Sequence, residues 1–139
     1  MENRELIRLA LEARERAYVP YSKYQVGAAL LAKNGTVYQG CNIENAAYTP
    51  TNCAERTAFF KAVSEGVREF EAIAIVGGYA GEPVDYAYPC GVCRQVMMEF
   101  CEPESFRVIT AISEDVYLER TLEEMLPHGF GPSKLHTED

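Results

Sequence analysis

Apolar residues near the start of the chain recur at helical spacing, with Leu6, Ile7, Ala10, Leu11 and Ala17 on one face and charges opposite. This predicts an amphipathic helix over residues 4–18, with Pro20 marking its end. Residues 24–32 are rich in β-formers and small apolar side chains, and read as a strand. Lys33-Asn34-Gly35 supplies a hairpin turn, because Asn-Gly readily takes positive φ, so residues 36–41 form the partner strand. The polar stretch 42–51 reads as a loop. Thr51 or Asn52 can cap a second helix that opens at Cys53 and runs to about residue 65, with Gly66 as its stop. Residues 70–76 form a buried strand ending at Gly77-Gly78, and a Gly- and Pro-containing loop, 79–89, leads into a helix over 91–101. A further strand covers 106–112, a short helix or turn covers 118–126, and the tail from 127 to 139 is irregular. The alternation of helices and strands predicts one α/β domain over residues 1–139, its sheet mixing an antiparallel hairpin with parallel crossovers.

At 139 residues the chain can bury a core without staples, and its 47% hydrophobic and 24% charged residues are ordinary for a globular protein. No apolar run approaches the roughly 18 residues needed to cross a bilayer. The start, Met1-Glu2-Asn3-Arg4-Glu5, lacks a signal peptide's basic end and apolar stretch, so the expected compartment is the reducing cytoplasm. There, five cysteines argue for metal or thiol chemistry over disulfides. The net charge of −8 opposes binding to duplex DNA, long RNA and anionic membranes, whose phosphates call for a field of the other sign. It leaves a small neutral substrate open.

The chemistry sits in two short runs, Cys53-Ala54-Glu55 and Pro89-Cys90-Gly91-Val92-Cys93. Both fall at predicted helix N-termini, where free N–H groups and the helix dipole favour the thiolate that binds metal. Three thiolates suit a catalytic zinc that keeps one position for water, and Glu55 could take that water's proton and pass it to a substrate nitrogen. Three thiolates and Zn²⁺ leave a net negative charge. Arg56 and Arg94, each directly after a ligand cysteine, are expected to return positive potential to the cluster. Two other readings stay open on the residues alone. Cys90 and Cys93 could form a redox pair, which leaves Cys53 and Glu55 unexplained, or Cys41, Cys101, His128 or His136 could close a structural site. Glu55 by itself could be an acidic residue favoured in a first helical turn.

Taken together, these runs and their neighbours resemble the small cytidine deaminases of the all-cysteine, homotetrameric type, within the cytidine and deoxycytidylate deaminases. The likeness runs from Tyr21-Ser22-Lys23-Tyr24-Gln25-Val26-Gly27 through Gly40-Cys41-Asn42-Ile43-Glu44-Asn45-Ala46, the two cysteine blocks and Leu126-Pro127-His128-Gly129-Phe130-Gly131-Pro132. It implies a three-layer α/β/α sandwich around a five-stranded mixed sheet, and one Zn²⁺ per subunit held by Cys53, Cys90 and Cys93. It also implies hydrolytic deamination of cytidine and 2′-deoxycytidine in pyrimidine salvage, with zinc-bound hydroxide attacking C4 and Glu55 shuttling the proton. Asn42 and Glu44 would grip the ribose, the backbone at Ala54 would meet the base edge, and Tyr24 would flank it where the family usually has phenylalanine. Phe130 of one subunit would reach the base bound by another, so a homotetramer with sites completed between subunits is implied. A related deaminase of blasticidin S shares the metal motifs. A polynucleotide-editing enzyme is opposed by the acidic charge and by the lack of basic or aromatic insertions near the site.

Overall fold

Helix α1 (Asn3–Arg14) is followed by strand β1 (Tyr24–Ala32), which turns through Asn34-Gly35 into β2 (Val37–Cys41). Gly35 takes φ +91°, as the turn requires. Then come α2 (Ala54–Ser64), β3 (Phe70–Tyr79), α3 (Gly91–Phe100), β4 (Arg107–Ala111), β5 (Tyr117–Thr121) and the one-turn α4 (Leu122–Met125). The computed structural model describes residues 1–135, so His136 lies outside the described residues.

The strands form one sheet in the order β2-β1-β3-β4-β5. Only β3 and β4 run parallel, and α3 makes their crossover; the remaining pairs are antiparallel. Alternation along β1 and β3 divides the core in two. Leu30, Ile73 and Ile75 face α2 and α3 beside Phe59, Met97 and Phe106, whereas Leu31, Ala74 and Val76 face α1 through Leu6, Ile7 and Ala10. The result is the three-layer α/β/α sandwich around five strands.

Two glycines let helix backbone rest directly on strand backbone. A Cβ on Gly27 would stand 2.1 Å from the Ala10 carbonyl oxygen of α1. A Cβ on Gly40 would stand 2.4 Å from the Ala54 carbonyl oxygen and 2.6 Å from the Ala58 nitrogen of α2. The first turns of α2 are therefore fixed against β2 at backbone distance.

Several expected boundaries move. α1 stops at Arg14, short of residue 18, because the Tyr18 N–H and carbonyl bond Asn42 and Glu44 across a bridge to Ile43. Ala17 thus leaves the predicted helical face. Neither Thr51 nor Asn52 caps α2; Cys53 itself is the N-cap residue. β3 continues through Gly77-Gly78 because β1 pairs with it as far as Tyr24↔Tyr79. Residues 117–121 form an edge strand where a helix or turn is expected. Thr121 then caps α4 in a reciprocal box with Glu124, which ends the strand and starts the helix.

Candidate active site

The N-termini of α2 and α3 converge on one spot. Cys53 and Cys90 are the two N-cap residues, and Cys93 lies in the first turn of α3, where its N–H donates to the Cys90 sulfur at 3.4 Å. The Cys53 and Cys90 sulfurs are 3.8 Å apart, and all three sulfurs fall within 4.8 Å of one another. Corners of a tetrahedron around zinc, at about 2.3 Å from the metal, stand about 3.8 Å apart. The cluster thus fits three corners and leaves the fourth to a water. Among the described residues, Cys41, Cys101 and His128 do not join it, which favours an open site over a closed one.

Arg56, one turn into α2, donates from Nη2 to the Cys53 sulfur at 3.3 Å. Without metal, the Cys53 thiol is lowered to about 5, first by its hydrogen bond from Cys93 and then by Arg56 and Cys90, against burial. Cys93 is correspondingly raised, first by holding the shared proton and then by burial. The Arg56 guanidinium beside Cys53 favours its thiolate. Arg94 Nη1 donates to the Met125 carbonyl at 2.6 Å and so ties α3 to α4.

Glu55 is 4% exposed, in the first turn of α2. Burial, and secondarily the Cys53 charge, push its carboxyl up to about 7 against an ordinary 4.5. Such a group exchanges a proton readily near neutral pH.

A cavity of about 310 Å³ opens onto Cys53, Glu55 and Cys90, lined also by Tyr24, Val26, Asn42, Ala54, Ile75, Tyr86, Ala87 and Tyr88. A larger groove of about 560 Å³ at the other end of α3 contains none of the cluster, so volume alone does not locate the chemistry. Asn42 spends its amide partly on β1, with Nδ2 donating to the Tyr24 carbonyl at 2.8 Å and Oδ1 accepting from the Val26 N–H at 2.9 Å. One further N–H and one lone pair remain. Glu44 lies in a neighbouring depression of about 410 Å³ with Tyr21, Ser22, Tyr48 and Thr51. The Ser22 hydroxyl, then the Ser22 and Tyr21 N–H groups, hold its carboxyl below the usual range. Phe130 is 57% exposed and does not line the cavity of its own chain; its carbonyl accepts from Gln95.

Sequence reasoning missed Val26, Ile75, Tyr86 and Tyr88. The first two could be found from strand alternation, which points them to the α2–α3 face. The tyrosines signal themselves only by closeness to Cys90. Their rings stack with centroids 6.2 Å apart and add two aromatic side chains to the cavity beside the expected Tyr24.

Comparison with known proteins agrees with this chemistry. Residues 1–109 match the family described as cytidine and deoxycytidylate deaminase zinc-binding region. The chain is 54% identical to a cytidine deaminase of Sporosarcina psychrophila, covering 97% of this chain and 96% of that one. It is 52% identical to a cytidine deaminase of Halalkalibacterium halodurans, over 94% and 95% of the two chains. The crystal structure of a cytidine deaminase from Burkholderia pseudomallei superposes with a TM-score of 0.84 at 45% identity, covering 94% of this chain and all of that one. The match of the family over residues 1–109, the identities of 52–54% over nearly the whole length and the shared fold place this chain in the family of cytidine and deoxycytidylate deaminases with their zinc-binding region.

Proposed function

We propose that the chain, acting as one domain over its 139 residues, hydrolyses cytidine and 2′-deoxycytidine to uridine and 2′-deoxyuridine with release of ammonia. The observation that carries this reading is a buried carboxylate beside three sulfurs spaced for zinc, with Glu55, Cys53 and Cys90 lining one cavity and Cys93 buried behind them. Cys53, Cys90 and Cys93 would hold the ion, which when bound acidifies water and so supplies a nucleophile near neutral pH. Glu55 would take a proton from the attacking water and deliver it to N3 of the pyrimidine as oxygen adds to C4. It would then take the proton of the new C4 hydroxyl and pass it to the amine nitrogen, so that ammonia leaves as the C4–N4 bond breaks and the C4 carbonyl forms. Arg56 offsets part of the surplus negative charge of three thiolates.

Tyr24, Val26 and Ile75 give the planar base apolar walls, and the backbone at Ala54 faces its polar edge. The free N–H of Asn42 and the carboxylate of Glu44 suit sugar hydroxyls. Phe130, exposed and away from its own cavity, completes the site of a neighbouring copy in a homotetramer. The net charge of −8 leaves polynucleotides outside the substrate class, and unoxidised cysteines suit a cytoplasmic enzyme.

The test is ammonia release and ultraviolet change on mixing purified protein with cytidine, beside a metal-loaded Glu55→Gln control. Conversion by the native protein alone is expected. A folded, zinc-loaded native protein that leaves cytidine intact would retire the substrate, and blasticidin S would be tried next.

A further inference from the structure

Arg14 is 8% exposed, and among the described residues no carboxylate pairs with it. A buried cation of this kind is kept only where its N–H groups are met. Here they meet backbone. Nε donates to the Gln25 carbonyl at 3.1 Å, and Nη2 donates to those of Gly78 at 2.9 Å and Tyr79 at 3.4 Å. These acceptors sit side by side, because Gln25 pairs with Gly78 and Tyr24 with Tyr79. One planar fork from α1 therefore pins the first residues of β1 to the last residues of β3.

The pinned segment is also a wall of the cavity. Tyr24 and Val26 line it, and the Tyr24 ring meets Tyr79 edge to face at 5.1 Å. Asn42, just past the end of β2, grips the two flanking residues by three bonds, through the Tyr24 carbonyl, the Val26 N–H and, by its own N–H, the Val26 carbonyl. Asn42 thus leaves the Gln25 carbonyl unclaimed, and Arg14 takes it. We infer that Arg14 is a positioning residue for the nucleoside: acting through the carbonyls of Gln25, Gly78 and Tyr79, it holds the Tyr24–Val26 wall against the bound base. This rests on the proposed cytidine deaminase activity.

A wall that touches substrate and transition state alike affects KM more than kcat. Arg14→Met, similar in length but without donors, should raise the KM for cytidine about tenfold, with kcat within about threefold and zinc content unchanged. Arg14→Lys keeps the charge but loses the fork, and should raise KM about threefold. Hydrogen exchange should quicken in peptides covering 24–28 and 77–80, and not in α2. A native KM in folded Arg14→Met with only a lower melting temperature would overturn the inference, as would a fall in kcat at constant KM. If Arg14→Met does not fold, Arg14→Lys decides: a raised KM supports the inference and a native KM overturns it. If native protein leaves cytidine unchanged, the activity reading fails, and the exchange comparison judges Arg14 by itself.

Discussion

Replacing Gly40 by alanine tests whether backbone contact between β2 and α2 sets the catalytic geometry. The new Cβ would stand 2.4 Å from the Ala54 carbonyl oxygen, 2.6 Å from the Ala58 nitrogen and 3.1 Å from its Cα. All three are backbone atoms, so no side chain can swing aside. Ordinary contact is about 3.5 Å, and α2 must therefore withdraw by roughly 1 Å. Ala54 lies between Cys53 and Glu55, so the proposed zinc ligand and the proposed proton carrier move together. Cys90 and Cys93 ride on α3 and stay. Overpacking of this kind costs about 1–3 kcal/mol of stability, and a misplacement of about 1 Å costs about 100-fold in catalysis. Purified Gly40→Ala would be assayed for melting temperature, zinc per chain and kcat/KM for cytidine. Gly35→Ala is the control, since Gly35 has φ +91° and open space around it. It should lose about 1 kcal/mol to strain and no activity. A folded Gly40→Ala protein with kcat/KM within about threefold of native would refute the reasoning, and so would equal losses in both variants.

The raised carboxyl of Glu55 predicts a pH-dependent stability in the zinc-free protein. Below about 4.5 the group is protonated both folded and unfolded and contributes nothing; as pH rises towards 7 only the unfolded chain releases the proton, so native stability falls. Above 7 the penalty levels at about 3 kcal/mol, and Glu55→Gln should escape it. Urea unfolding at pH 5 and pH 8 checks this, and an equal gap between the two proteins at both values would be the wrong answer. Arg56→Gln removes the 3.3 Å contact to Cys53 and should weaken zinc retention against a chelator by about 10-fold or more. Arg94→Gln, which loses only the Met125 carbonyl, should lower the melting temperature and leave zinc in place; equal zinc retention in both variants would remove the distinction.

The parts of the site readable in the sequence are those whose chemistry is local. Cys53 with Glu55, and Cys90 with Cys93, are close in the chain and lie at helix starts, so spacing and capping already place them on exposed N–H ends. β1, the hairpin and the first residues of β3 were legible because small apolar runs and Asn34-Gly35 carry strong local signals. β5 was not. Its sequence Tyr117-Leu118-Glu119-Arg120-Thr121 is an exposed edge with only two half-buried positions, and its strand conformation comes from β4 beside it. The end of α1 was hidden for a like reason, since Tyr18 leaves the helix to bond Asn42 and Glu44.

By itself the sequence pointed to Cys53, Cys90 and Cys93 as a candidate ligand set, to Glu55 beside them as the candidate proton carrier, to a net charge that opposes polyanions and to the alternation that makes an α/β sandwich, because each follows from residue type and short-range spacing. Only the tertiary structure decided that Cys53 meets Cys90 at 3.8 Å, that Arg56 and not Arg94 reaches a thiolate, and that Tyr86 and Tyr88 flank the cavity. It alone pairs Arg14 with carbonyls on β1 and β3. These contacts join residues far apart in the chain. They depend on sheet order, register and two close helix–strand contacts at Gly27 and Gly40, which no local pattern encodes.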